Sequence, residues 1–410
     1  MKLYQYLPLA LMFGFFSTAV PALEQNITAH FRPDPANPMS NKFVNTTPES
    51  GICPGHIPGH CKALDIFSIR TNSLTFTANQ PIPGMHSSPR QGAMWKVPSE
   101  WRDVVVTHTE TGQAETVQVR IAGFGHRWDA RPNVQVWEHP EDPFLNWWAR
   151  AWTYAPAPCT GINYIASDYA TFALFFWLVP ENAGVCHRQA ATTVDSLRYI
   201  YTEYAYGMKT PNPLKMAAGQ YTGRLSYTVG PGMDFDMGDV MIPNDNLLSL
   251  NFTLDVDHHL KVEVPPGGNR IQLEPQGGWQ GWLSNGRKPT RLFRDQSVNL
   301  WASSQFKMNL ECGEPLGNTC SLRNAAGHQV PLDIAVTLPP GLNDFAGRPV
   351  NRLPLTVDGS GTELFQPTRY VDRKPSTLHF EVKADAVAQM LDHPGSTYNG
   401  TVTVVWDSEV

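Results

Sequence analysis

Apolar and polar residues alternate along most of this chain and almost nowhere repeat at helical spacing. In the first half, residues 103–109, 115–123, 134–138, 170–179, 198–206 and 223–229 read as strands. In the second, 248–256, 259–264, 270–274, 298–302, 305–311, 331–338, 377–383 and 401–406 do so. Turn signals separate them, among them Pro265-Pro266-Gly267-Gly268 and Asp358-Gly359. Only 385–391 reads as a helix, and a short one. Many short strands so punctuated predict an all-β fold built of two β-sandwich domains.

The last strand is the most informative. Val402, Val404 and Trp406 share one face at period two, which predicts a buried side. No later element is expected to cover its free edge, and neither charge nor proline blunts it. Such an edge pairs readily with another chain, so a strand from elsewhere is expected beside it.

A weak internal echo places the domain boundary. Gly219, Tyr221 and Gly223 precede Leu225, Tyr227 and Val229, much as Gly395, Tyr398 and Gly400 precede Val402, Val404 and Trp406. Each passage reads as a turn feeding a domain's closing strand, although a Gly-x-Tyr-x-Gly pattern can mark any β-turn. Residues 231–246 are rich in Gly, Asp and Pro without periodicity and read as a linker. The expected domains are therefore 23–230 and 247–410.

Composition adds a compartment. Lys2, the apolar stretch 7–16 and Val20-Pro21-Ala22 predict a secretory signal over 1–22. Six cysteines in an exported chain suggest disulfides, with fifteen possible connectivities. Spacing favours the local pairs Cys53–Cys61, Cys159–Cys186 and Cys312–Cys320, each worth roughly 2–3 kcal/mol on the chain-entropy account. A zinc site is disfavoured because no CxxC knuckle is present. The net charge of −6 is modest and leaves no footprint for nucleic acid or an anionic membrane.

Candidate chemistry is sparse. No HExxH, GxSxG or phosphate-cradling glycine loop occurs, so neither a cofactor nor a catalytic role is expected. Paired carboxylates, which are recognised by separation in space, leave a secreted glycan-active enzyme as an alternative. His56 and His60 lie in a Pro- and Gly-rich stretch that argues against a helix and hence against a shared metal. His258 and His259, read as part of a strand, point to opposite faces. Asp234, Asp236 and Asp239 lack the later acidic ligand of a calcium loop.

The first half also holds eight of the twelve tryptophans. Trp128, Trp147 and Trp148 stand among polar residues, including His126, Asp142 and Asn146. Aromatic faces with a few polar groups can hold a sugar, so these six form a candidate receptor site. The competing reading is that the aromatics pack a large sandwich core.

Several features together resemble the two-domain tip adhesins of chaperone–usher fimbriae. They are the Gly395, Tyr398, Gly400 ending with its terminal strand, the Cys312 and Cys320 loop, and the stretch 256–282 with His258, Leu260, Val262, Val264, Gly278 and Trp279. Near the start, Phe43, Asn45, Thr47, Pro48, Gly51 and Cys53 lead into Cys61, Phe67, Ser68 and Ile69. The resemblance implies a second domain that is an immunoglobulin-like sandwich awaiting a donor strand, with Val402, Val404 and Trp406 along its groove. It implies a periplasmic pilus chaperone, an outer-membrane usher and the next fimbrial subunit as partners, and export to a fimbrium tip at the cell surface. There the first domain is expected to bind a host or surface glycan or protein receptor; a non-adhesive initiator subunit is the other reading.

Overall fold

The structure, a computed structural model, describes residues 23–129, Trp148, Trp152, 154–167 and 172–408. The expected signal segment and the strand read at 134–138 lie outside the described residues. The molecule is all-β, and the described residues form two large hydrophobic cores and a smaller apolar cluster around the Cys53–Cys61 loop.

The first core sits inside a curled twelve-stranded sheet. Its spine is Ala114–Asp129, paired with Arg102–His108, Arg198–Lys209 and Phe172–Leu178. The near half of this strand alternates, with Val117, Val119 and Ile121 buried, whereas from Ile121 to His126 every residue is buried. Where both faces are covered, small residues let neighbours close in. A Cβ on Gly125 would collide with the Phe175 carbonyl oxygen, so only glycine fits there.

The sheet continues through Gly219–Thr228 and Leu247–Val256 to Leu23–Phe31, which runs parallel to Leu247–Val256 from Leu23 opposite Leu248 to Phe31 opposite Val256. This corrects the expected boundary. The sequence pattern places residues 247–256 in the second domain, yet Leu248, Leu250, Phe252, Leu254 and Val256 are buried in the first core. Nor are residues 231–246 a free linker. Phe235, Met237, Val240 and Met241 are buried in the same core, and Met241–Pro243 pairs with Phe76–Ala78. The aspartates of this stretch are tied down as well. Arg102 holds Asp234 at 2.6 Å, and Arg90 holds Asp236 at 2.8 Å and Asp239 at 2.6 Å. Their irregular spacing hid the burial, because anchors inserted from a loop need no period.

The true connection is therefore residues 257–259. His258 and His259 lie in it rather than in a strand. The His258 Nε2 lies 2.8 Å from the Met216 carbonyl of the first domain, and its Nδ1 lies 3.3 Å from the Ser303 hydroxyl of the second. Burial holds the His258 pKa below that of a free imidazole.

The second core lies under a sheet ordered Leu260–Glu263, Leu292–Ala302, Val371–Val382, Gln329–Thr337, Thr319–Arg323 and Pro315–Leu316. Facing it are two short ladders, Lys307–Cys312 with Val402–Asp407 and Leu342–Asp344 with Phe365–Pro367. The single predicted helix is present as Ala384–Leu391, with Ala386 and Val387 turned into the core. Residues 270–274, read as a strand, contribute only an isolated bridge from Glu274 to Phe293.

The six cysteines form the three local disulfides, with Cα–Cα distances of 5.7, 5.9 and 5.2 Å. The loop closed by Cys53 and Cys61 is helical after all, as Ile52–Gly55 and Pro58–Leu64. Pro58 does not prevent this, because it occupies the first turn where its lost N–H had no partner to lose. Glu203, buried in Arg198–Lys209, accepts from the Ile52 N–H and pairs with Arg70 at 2.8 Å, pinning this loop to the sheet.

Candidate functional site

Among the described residues, two places bear on the sites expected from the sequence. The first is the closing strand of the second domain. Val402–Asp407 runs antiparallel to Lys307–Cys312, from Val402 opposite Cys312 to Asp407 opposite Lys307. Among the described residues that is its one hydrogen-bonded strand neighbour, so its other flank is an open edge. Leu260–Glu263, at the end of the opposing sheet, is likewise paired on one flank, with Leu292–Ala302.

Between complete burial and exposure lie the apolar side chains of these two edge strands. Val402, Val404, Trp406, Leu260 and Val262 are all half-buried and packed on the second core. Trp406 rests on Phe306 with ring centroids 5.7 Å apart, and Phe306 in turn lies 5.2 Å from Phe365. An extended segment laid along Val402–Asp407 would find two things there. Main-chain N–H and C=O groups offer a ladder, and the half-covered apolar floor accepts alternate side chains.

The turn before this strand explains why its sequence is distinctive. Gly400 passes so close to the Ser321 carbonyl oxygen that an added Cβ would lie 2.5 Å from it. Asn399 exchanges backbone hydrogen bonds with Arg323 at 2.9 and 3.1 Å. The Tyr398 hydroxyl lies 2.9 Å from His328 Nδ1 and accepts from Asn324 Nδ2 at 3.3 Å. Together these contacts aim the closing strand and fix its register against Lys307–Cys312.

The second place is in the first domain, though not where the tryptophans suggested. His126 is fully buried, and Trp128 and Trp148 are each 2% exposed. Asp142, Asn146 and Trp147 lie outside the described residues. His126 stacks on Tyr199 with centroids 4.4 Å apart, and its Nδ1–H donates to the Tyr201 carbonyl at 2.9 Å. Burial pushes its pKa down to about 4, so the ring is neutral at physiological pH. Trp152 joins Trp177, Trp95 and Trp148 at 5.4, 5.3 and 5.2 Å, and the Trp177 indole donates to the Trp152 carbonyl at 2.9 Å.

So His126, Trp128 and Trp148 are core residues. Arg127 and Asp129, the polar neighbours of Trp128, sit on the other face of the same strand. Arg127 and Asp129 pair with each other at 2.9 Å on the outside, while His126 and Trp128 face in.

What is open beside this aromatic core is a concavity of about 230 Å³. Met85, Tyr154, His187, Arg188 and Gln189 border it, with Trp148 behind. Tyr154 is 54% exposed and presents a ring to solvent. Arg188 is buried over Trp152 and Trp177, 5.4 and 5.5 Å from their rings, and donates to the Tyr154 carbonyl. Arg188 thereby holds the Tyr154 segment against the core, next to the Cys159–Cys186 bridge. His187 and Gln189 are exposed on either side of it, as strand alternation requires. The hollow is smaller than the roughly 300–1,000 Å³ usual for drug-sized ligands, so it suits one ring or one side chain. Its signal in the sequence is the alternating stretch from Cys186 to Gln189, which carries no tryptophan.

Among the described residues, no group of three or more His, Cys, Asp or Glu side chains is placed to hold a metal ion. None of the described helices is long and apolar enough to cross a membrane.

No protein-family model matches the sequence, and no curated protein matches it significantly. Solved structures align with nearly all of it at low identity. One is a chaperone–tip adhesin complex of CFA/I fimbriae, 12% identical, covering 95% of this chain and 97% of that one, with a TM-score of 0.26. Another is CfaE, the adhesive subunit of the CFA/I fimbria of enterotoxigenic Escherichia coli, 11% identical over 94% and 92%, with a TM-score of 0.23. A third is the CsuC–CsuE chaperone–tip adhesion subunit complex of the archaic chaperone–usher Csu pili of Acinetobacter baumannii, 9% identical over 94% and 98%, with a TM-score of 0.21. The solved structures that this chain resembles are thus fimbrial tip adhesins, at TM-scores too low to add weight to the geometry above.

Proposed function

We propose that this chain is a fimbrial tip adhesin whose second domain is completed by a strand from another protein. The observation that carries the reading is the open flank of Val402–Asp407 above a half-buried apolar floor. An edge of this kind is an aggregation hazard unless a partner covers it. A periplasmic chaperone would cover it during export, an outer-membrane usher would exchange that cover, and the next fimbrial subunit would supply the permanent strand. The first domain, closed around its own core, would then be displayed at the tip to engage a glycan through the Tyr154 concavity. In this reading the chain is not an enzyme.

A synthetic extended peptide with apolar residues at alternate positions tests the assembly half. Added to the full exported chain during refolding, it should yield a soluble species with a single cooperative melt, whereas the lone chain aggregates. A lone chain that refolds reversibly and ignores the peptide would overturn the reading. A glycan array probed with the peptide-complemented chain tests the adhesive half. Signal lost on Tyr154→Ala is the expected result, and silence across the array favours an initiator subunit that caps the fibre.

A further inference from the structure

A larger opening than the Tyr154 concavity lies where the two domains meet, a cleft of about 520 Å³. Phe43, Phe67 and Met208 of the first domain line it as half-buried apolar surface. Phe43 packs on Phe31 at 6.3 Å and Phe67 on Tyr206 at 5.8 Å, so both rings are braced from behind. The opposite wall is Thr368 of the second domain. Two residues on, the Tyr370 N–H donates to Asn41 Oδ1 at 3.3 Å, which ties that wall to the first domain.

The polar groups of the cleft have an uneven hydrogen-bonding balance. The side-chain oxygens of Asn41, Asn45 and Asn212 already accept from the Tyr370, Thr47 and Leu214 amides. The Asn45 amide group is used as well, donating to the Tyr206 hydroxyl at 2.9 Å. What the lining has left is mainly donors: the amide groups of Asn41 and Asn212 and the ammonium of Lys42. Lys42 is exposed and enters no ion pair among the described residues. Lys209, the second ammonium, lies 3.9 Å over the Trp101 ring, and Asp65 is the single carboxylate in the lining. A hollow of about 260 Å³ shares Asp65 and Phe67 with the cleft and extends it toward the Cys53–Cys61 loop.

We infer that this interdomain cleft is a second binding site, distinct from the Tyr154 concavity, for an acidic oligosaccharide. A surplus of donors with net positive charge calls for an acceptor-rich anion, and a carboxylate takes charge-assisted hydrogen bonds from ammonium and amide groups. Half-buried aromatic rings beside those donors match the C–H faces of a pyranose. The volume falls within the usual ligand range and leaves room for more than one ring. Because Phe67 and Thr368 belong to different domains, the occupied cleft reports on how the two are docked.

The test titrates the full, peptide-complemented chain with 3′-sialyllactose, a hyaluronan tetrasaccharide and neutral lactose, followed by calorimetry. Saturable binding of an acidic probe, at least tenfold tighter than lactose and weakened by added salt, is the expected result. Which acidic probe binds tells a sialic acid from a uronic acid. Lys42→Gln should cost about tenfold in affinity while leaving the melt unchanged, since Lys42 is exposed. Thr368→Trp should fill the cleft from the second domain and abolish binding. Equal affinity for lactose, no binding of either acidic probe, or indifference to both substitutions overturns the inference. Because complementation is confirmed by the melt beforehand, that failure is separate from failure of the strand-capture reading.

Discussion

The two domains solve the same β-sheet problem in opposite ways. The first covers its last strand on both flanks, setting Leu247–Val256 between Gly219–Thr228 and Leu23–Phe31, the latter more than two hundred residues earlier in the chain. The second ends on Val402–Asp407 with one flank paired and one open. The difference is one of chain supply. The strand that follows the first domain's echo motif is taken into the first sheet, and no described strand does the same for the second. The two arrangements differ in where the strands go, not in strand chemistry, and on the reading proposed above the open flank is what a supplied strand would cover.

The largest expected effect separates the two domains outright. Trp406→Arg sets a charge on the floor of the open edge, where burial beneath a captured strand would cost several kcal/mol. Capture of a donor peptide should be lost entirely, while near-ultraviolet dichroism from the first domain's indoles stays unchanged. Retained capture would place the strand elsewhere.

Next comes the boundary. Phe252→Ala removes a ring buried in the first core and should destabilise the first domain by about 3–5 kcal/mol. The open edge should still take its peptide. If instead the second domain's melt moved, residues 247–256 would belong where the sequence pattern had put them.

Acid should act mainly on the first domain. Burial lowers the His126 pKa to about 4 in the folded state, against about 6.5 when unfolded. A lowered folded value means no penalty above pH 6.5 and a growing one as pH falls from there to about 4, reaching about 3 kcal/mol. His258, also lowered by burial, adds to the same trend at the junction. The melting temperature should therefore fall across that window, and His126→Phe should flatten the slope. A slope that is the same in wild type and variant would remove His126 from the account.

The smallest effect is at the junction surface. Arg32 and Asp257 meet at 2.7 Å, but their side chains are 70% and 58% exposed, so solvent screens the pair. Arg32→Ala should change stability by less than about 0.5 kcal/mol in a thermal melt. A larger loss would mean that the two domains depend on each other more than their separate cores suggest.

Some of this was legible beforehand for plain reasons. Val402, Val404 and Trp406 advertise a half-buried strand because period two is a local property of extended backbone. The helix near residue 385 and the three disulfides are equally local, each settled by spacing over a few turns or a short loop. The burial of His126, Trp128 and Trp148 was not legible, because composition around a residue says nothing about which face it occupies. The boundary failed because turn-rich chemistry at 231–246 looks the same whether the segment is solvated or anchored by Phe235 and Met241.

What the amino-acid order determined, then, was the inventory of the molecule: strands, turns, cross-links and an apolar closing strand. Those follow from backbone geometry and short-range sterics, which reach only a few residues. Which sheet each strand joined, which aromatics faced inward and which edge stayed open were decided in three dimensions. There, non-local hydrogen bonding and burial choose among pairings that local pattern leaves equivalent.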